Sequence, residues 1–342
     1  MKQPLLMDVN NTVFLRGEKL IIVDRRGLPA QINELVCADY FQVARAIEEM
    51  AVQGAGDIAI TAAYGLYLAA RYWEDAGNPS RSEGRDYLQA AYRRLVETRP
   101  TGHHLKTLLD KIMNGLEDEY SLSAWILSRI KQAIEIQNKR SEATGRWAEQ
   151  LLADGDTILT HCFPGPALLH MLAMAEAGKK KIQVIASETR PYLQGARLTA
   201  WSVSELDIPV TLISDNMAAY CMSRAMVSKV FTAADRIAGD GTVANKVGTF
   251  QLALAAQYHG VPFYVLGYGG PDRQCQGAED IPIEVRDPNE VLFCAGVKIT
   301  GDKVKGFYPA FDLTPAHLLT AIITDRGIFP PSLMEEYWSS RP

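Results

Sequence analysis

Apolar and polar positions change rhythm along the chain, and each rhythm predicts a different kind of element. The opening segment NNTVFLRGEKLIIVDRRGLP alternates, which predicts two short strands joined by the Arg16–Gly17–Glu18 turn. From Asp39 to about Trp147 the period lengthens. YFQVARAIEEMAV and DYLQAAYRRLVET carry apolar residues at helical intervals, and Asn78–Pro79–Ser80 and Arg99–Pro100–Thr101–Gly102 punctuate the helices. Past Gly155 come short runs rich in Ile, Val and Leu: DTILTHC, KIQVIAS, PVTLISD, KVFTAAD and PFYVLGY. The helical stretches ALLHMLAMAEAGK and VANKVGTFQLALAAQYHG separate them, each ending at a Gly that suits a helix stop. Strands and helices alternating at this spacing predict an α/β fold with a parallel sheet covered on both faces. The boundary falls at about 145–155, dividing the chain into a mostly helical domain (1–148) and a sheet domain (149–342).

Composition narrows the function. The chain has 342 residues, 47% of them hydrophobic and 22% charged, with a net charge of −5. Such a balance suits a soluble two-domain protein and argues against nucleic acid as the partner. No basic segment followed by a long apolar run opens the chain, and no apolar run is long enough to span a bilayer, so neither a signal peptide nor a membrane partner is expected. Five cysteines without CxxC spacing fit a reduced, cytoplasmic enzyme, and six histidines without ligand spacing predict no metal. A GxGxxG fingerprint is absent after the first run of the sheet domain, so a dinucleotide is not expected and an oxidoreductase is the weakest reading.

Candidate chemistry collects where the strands end. DTILTHC ends in His161–Cys162, KIQVIAS runs into Glu188–Thr189–Arg190, PVTLISD ends in Asp215, and KVFTAAD ends in Asp235–Arg236. In a parallel sheet these carboxyl ends border the ligand crevice. Taken singly, each has a plainer reading. A buried Cys is usually packing, His161 an orienting neighbour, Asp235–Arg236 a structural ion pair, and Asp215 or Glu188 a cap. Met171 and Met174 read as a core face.

Several motifs, in order, resemble the family of S-methyl-5-thioribose-1-phosphate isomerases, related to regulatory subunits of translation initiation factor 2B and to ribose-1,5-bisphosphate isomerases. They are THC (160–162), SETRPYLQGARLTAW (187–201), IPVTLISDNMA (208–218), AADRIAGDGTVANKVGT (233–249), HGVPFYV (259–265), IPIEVRDPNEV (281–291) and YPAFDLTPAHLLTAIITDRGI (308–328). Upstream, VDRRGLPAQ, VQGAGDIAITAAYGL and RPTGHHL stand where the family has its N-terminal motifs. The resemblance implies a helical N-terminal domain with a small antiparallel sheet and a Rossmann-like C-terminal domain. It also implies a homodimer, no cofactor, a phosphorylated sugar substrate and a place in methionine salvage. Carried over by position, Cys162 and Asp235 match the catalytic thiol and carboxylate. Gln53, Gly54, Ala55, Arg99, Gln194, Asn245 and Lys246 fall at substrate-binding positions.

The chemistry asks for such groups. The anomeric oxygen of an aldose 1-phosphate is esterified, so opening the ring needs an acid at the ring oxygen, a part Asp235 can take if burial raises its pKa. Hydrogen then moves from C2 to C1, either through a base such as a Cys162 thiolate or as a hydride in a dry pocket. Arg99, Lys246 and the amides of the Gly54–Ala55–Gly56 turn suit a phosphate. Two departures stand out. Gln53–Gly54–Ala55–Gly56, followed by Asp57, replaces the family's Arg-Gly-Ala-Pro and a small residue, removing one cation and adding a carboxylate. Phe163–Pro164–Gly165–Pro166 replaces its Asn-Ala-Gly. The altered pocket leaves 5-deoxyribose 1-phosphate as an alternative substrate, and a non-catalytic, metabolite-sensing factor 2B-like subunit as an alternative function.

Overall fold

The computed structural model describes residues 2–77, 81–116, 121–294 and 296–340. The Asn78–Pro79–Ser80 break lies outside the described residues. The chain divides into two compact units, one of residues 8–138 and one of residues 1–7 with 139–342. The division lies earlier than the 148/149 boundary read from the sequence, because one continuous helix carries the chain across it and its periodicity gives no sign of the change.

The first unit opens with β1 (Val13–Arg16), β2 (Lys19–Val23) and β3 (Glu34–Cys37), an antiparallel sheet in that order. The first two match the alternating segment. The third was not anticipated: it is short, on the edge of the sheet and buried only at Cys37, so alternation is faint. Helices α1 (Tyr40–Glu48), α2 (Ala55–Asp75), α3 (Arg81–Val96), α4 (His103–Asn114) and α5 (Leu122–Glu149) follow. Asp39 caps α1 by accepting from the Gln42 amide at 2.8 Å. The core of this unit gathers Leu20, Ile22, Val43, Ile47, Leu66, Leu95, Leu109 and Ile126.

The second unit holds β4 (Thr157–Thr160), α6 (Pro166–Ala177), β5 (Gln183–Ser187), α7 (Trp201–Ser204), β6 (Val210–Ile213), α8 (Ala218–Ser223), β7 (Lys229–Ala233), β8 (Arg236–Ile237), β9 (Val243–Lys246), α9 (Thr249–His259) and β10 (Phe263–Leu266). Then come β11 (Phe293–Cys294), β12 (Val297–Lys298), β13 (Phe311–Thr314), β14 (Ala321–Thr324) and β15 (Gly327–Phe329). Seven strands pair in the order β15-β14-β10-β7-β4-β5-β6, parallel throughout except for β15. Adjacent residues face opposite layers: Ile158, Val184 and Phe231 pack with α6, while Leu159, Ile185 and Val230 pack with α8 and α9. A Rossmann-like α/β sheet is thus observed. Part of one predicted helix is corrected: in VANKVGTFQLALAAQYHG, Val243–Lys246 form β9, paired with β13 and β8, and the helix begins only at Thr249.

The strand order reverses between β4 and β7. From β4 the chain proceeds to β5 and β6 at one edge, then returns past β4 to build β7, β10 and β14. Ligands gather at such a switch point because the loops leaving its two strands part there. Cys162 follows β4 and Asp235 follows β7.

Candidate active site

His161 and Cys162 occupy the turn after β4. The His161 ring is buried, with Nε2 2.9 Å from the Val247 carbonyl and Nδ1 2.6 Å from Ser187 Oγ. A carbonyl only accepts, so Nε2 carries the hydrogen and the Ser187 hydroxyl donates to Nδ1. Burial lowers the His161 pKa and keeps the ring neutral. Both ring nitrogens are engaged, so His161 braces the turn, in line with its expected orienting role. Cys162 follows in the left-handed region, φ 60°. Burial pushes its thiol up to about 11, against the opposing pull of the Lys246 charge.

Asp235 sits between β7 and β8, its amide donating to the Ala244 carbonyl at 2.9 Å. The structural ion pair with Arg236 is not formed: the Arg236 guanidinium faces Asp272 at 3.7 Å. Among the described residues the Asp235 carboxyl makes no side-chain hydrogen bond. Burial raises its pKa to about 6, with Lys246 opposing and Glu284 reinforcing the shift. Cys162 and Asp235 each keep a window onto solvent.

Lys246 ends β9. Its ammonium is buried, donating to the Tyr308 hydroxyl at 3.3 Å and lying 4.9 Å from the centre of the Phe311 ring. Burial lowers its pKa, while Cys162 and Asp235 hold it up. The three groups therefore act on one another electrostatically. Among the described residues Lys246 has no ion pair within 4.0 Å, so a buried cation within electrostatic reach of the thiol and the carboxyl keeps donors to spare. Asn245 is buried alongside in sequence, donating to Thr249 Oγ1 at 2.9 Å. Gln194 is buried with its Oε1 lacking a partner, just before a π-helical turn over Gly195–Ala200. That turn lies in the motif ETRPYLQGARLTAW and runs directly into α7. It packs so tightly on β5 that a Cβ at Gly195 would lie 1.7 Å from the Ser187 carbonyl oxygen.

The remaining candidates lie in the first unit. Gln53 is buried, its Nε2 donating to the Met50 carbonyl at 3.1 Å and its Oε1 unpartnered. Gly54, at φ 96°, precedes Ala55 at the start of α2. The Asp57 carboxylate added to this turn is neutralised: Arg25 Nη2 donates to it at 2.5 Å and Gln137 Nε2 at 2.9 Å. The other end of the fully buried Arg25 guanidinium donates to the Gln53 carbonyl. Arg99 follows α3 and donates to the Ile47 carbonyl at 2.9 Å.

Sequence reasoning passed over Tyr308, Phe311 and Asp312. The Asp312 carboxylate accepts the Gly248 amide at 2.6 Å and the Phe250 amide at 3.2 Å, anchoring the start of α9. All three lie in the quoted run YPAFDLTP, whose mixture of aromatic and acidic residues in a short strand was the available signal. Arg286 was missed too; it bridges Tyr192 at 2.7 Å and Glu290 at 3.2 Å.

The model of the initiation factor 2 subunit family matches residues 51–331. A methylthioribose-1-phosphate isomerase of Thermosipho melanesiensis is 43% identical over 336 residues, covering 94% of this chain and 95% of that protein. The crystal structure of 5-methylthioribose 1-phosphate isomerase from Pyrococcus horikoshii superposes with a TM-score of 0.82 at 34% identity, covering 96% of this chain and 95% of that one. That of the delta subunit of the translation initiation factor eIF-2B from A. fulgidus gives 0.79 at 35%, covering 94% and 96%. Matched over most of its length, this chain belongs to the initiation factor 2 subunit family, which includes the methylthioribose-1-phosphate isomerases.

Proposed function

We propose that the protein is an aldose–ketose isomerase that converts a 5-modified ribose 1-phosphate, of the S-methyl-5-thioribose type, into the corresponding ribulose 1-phosphate. The observation that carries this reading is a thiol and a carboxyl at the two strands of the switch point, both acted on by the charge of the buried Lys246 ammonium. Lys246 supplies a buried positive charge for an anionic substrate. Gln194 and Asn245 offer amides for its hydroxyl groups. Gln53, Gly54, Ala55 and Arg99 are proposed as substrate-binding groups on sequence resemblance alone.

Isomerisation needs one proton placed on the ring oxygen and one removed from the C2 hydroxyl. Read from sequence, Asp235 is the acid. The order of the two groups favours the opposite division: the carboxyl gives up its proton near 6 and the thiol only near 11. With one proton between them, the site favours thiol plus carboxylate. In this scheme the Cys162 thiol protonates the ring oxygen as the C1–O4 bond breaks. Hydrogen moves with its electron pair from C2 to C1, and Asp235 takes the C2 hydroxyl proton, leaving a ketone. Return of that proton from carboxyl to thiolate restores the site.

A panel of methylthioribose, 5-deoxyribose and ribose 1-phosphates with ribose 1,5-bisphosphate tests the substrate class. Turnover of the methylthio or 5-deoxy sugar is expected, and failure on every sugar contradicts the reading. In deuterated water, hydride transfer leaves C1 of the product free of solvent deuterium. Similarity to the A. fulgidus initiation factor subunit supports a second reading, a regulatory subunit, which an inactive chain in a stable heteromeric complex would establish.

The homodimer belongs to the same proposal. Phe250, Leu254 and Tyr258 recur every fourth residue on α9 and are exposed, while Leu252, Ala253 and Ala256 face the core. A reducing, cytoplasmic setting is supported by five free cysteines. Among the described residues no helix is long and apolar enough to cross a membrane.

A further inference from the structure

We propose that Thr189 and Thr199 are positioning residues that clamp Cys162 in a left-handed backbone conformation on which its reaction depends. Cys162 adopts φ 60°, a region disfavoured for any residue with a Cβ, so something must hold it there. Both of its own peptide groups are held by side chains. Its amide donates to Thr189 Oγ1 at 2.8 Å, and its carbonyl accepts from Thr199 Oγ1 at 2.5 Å. Both threonines are fully buried, so water does not compete for these bonds.

The clamp is itself anchored. The Thr189 hydroxyl lies 3.3 Å from the Ser187 carbonyl, which takes its hydrogen and leaves a lone pair for the Cys162 amide. Thr189 also stands at φ 60°, and the Asp215 carboxylate accepts its amide and that of Arg190, each at 2.7 Å. Thr199 belongs to the π-helical turn, a local widening often found at functional sites. Groups from β5, from Asp215 just past β6 and from the π-helical turn therefore converge on one strained residue. Strain kept in place by its surroundings is a mark of preorganisation, and a displacement of about 1 Å in a reacting group costs on the order of 100-fold in rate.

The inference rests on Cys162 being the reacting thiol, and the experiment separates the two. Thr199→Val keeps shape and removes the hydroxyl; Thr199→Ser keeps the hydroxyl. Turnover is measured with methylthioribose 1-phosphate, and alkylation of Cys162 by iodoacetamide is followed against pH in the folded protein. The expected result for Thr199→Val is a kcat lowered about 10- to 100-fold, KM within about two-fold of wild type and a displaced alkylation profile, all restored in Thr199→Ser. Wild-type kcat and alkylation in Thr199→Val would overturn the clamp, as would an equal loss in Thr199→Ser. If Thr199→Val does not fold, Thr199→Ala is read in its place; failure of both to fold beside a folded Thr199→Ser makes the hydroxyl a requirement of folding and also overturns it. A fully active Cys162→Ser defeats the functional reading itself, whereas an inactive Cys162→Ser beside a normal Thr199→Val defeats the clamp alone.

Discussion

At the scale of single residues, protons decide what Cys162 and Asp235 do. With the carboxyl near 6 and the thiol near 11, activity should rise as pH climbs through about 6, hold a plateau, and fall as the thiol ionises. A pH–rate profile of kcat/KM checks the sign: activity falling above pH 6 would mean that Asp235 works protonated. A second residue-scale prediction concerns Arg25 and Asp57. The pair is buried at 2.5 Å, so removing one partner strands a charge, and Arg25→Met should cost about 3–5 kcal/mol in a denaturant titration. Arg25→Met with Asp57→Asn should cost much less than the sum of the two single changes, because no uncompensated charge remains. The sequence showed Asp57 as an unwelcome carboxylate in an anion-binding turn. It did not show Arg25 meeting it, because that contact joins residues 32 positions apart.

Secondary elements turn those residues into a site. The apolar runs of β4, β5, β7 and β10 were legible because a strand covered on both faces must be apolar at nearly every position, and edge strand β6, exposed at Thr211 and Leu212, was legible from its β-branched run. The same signal located the strand ends, and so Cys162, Asp215 and Asp235. It failed where an element is short or half-exposed. β3 has one buried residue, and β9 merges in sequence with the helix that follows, so Asn245 and Lys246 were reached through family motifs and not through pattern. The threonines beside Cys162 left no signal, since a hydroxyl in a polar run says nothing about the backbone it will hold. Gly195 marks the tightest approach between elements of the site. Gly195→Ala must push the π-helical turn off the Ser187 carbonyl, and kcat/KM should fall at least about 100-fold, with circular dichroism reporting whether the fold survives. Unchanged activity would mean that the turn moves freely.

For the whole molecule, one fold is shared with a methylthioribose-1-phosphate isomerase and a translation initiation factor subunit, so the groups at its strand ends decide the chemistry. The exposed face of α9 gives a test at this scale. Light scattering should report a mass of two chains, and Leu254→Glu should reduce it to one; a wild-type protein that is already a single chain contradicts the dimer. The central claim, that the Cys162 thiol and Asp235 carboxyl together isomerise a sugar 1-phosphate, is tested most directly by kcat/KM for methylthioribose 1-phosphate in wild type, Cys162→Ser and Asp235→Asn, with melting temperatures measured alongside. Both variants should lose at least about 1,000-fold while melting close to wild type, and either one turning over at the wild-type rate would contradict the account.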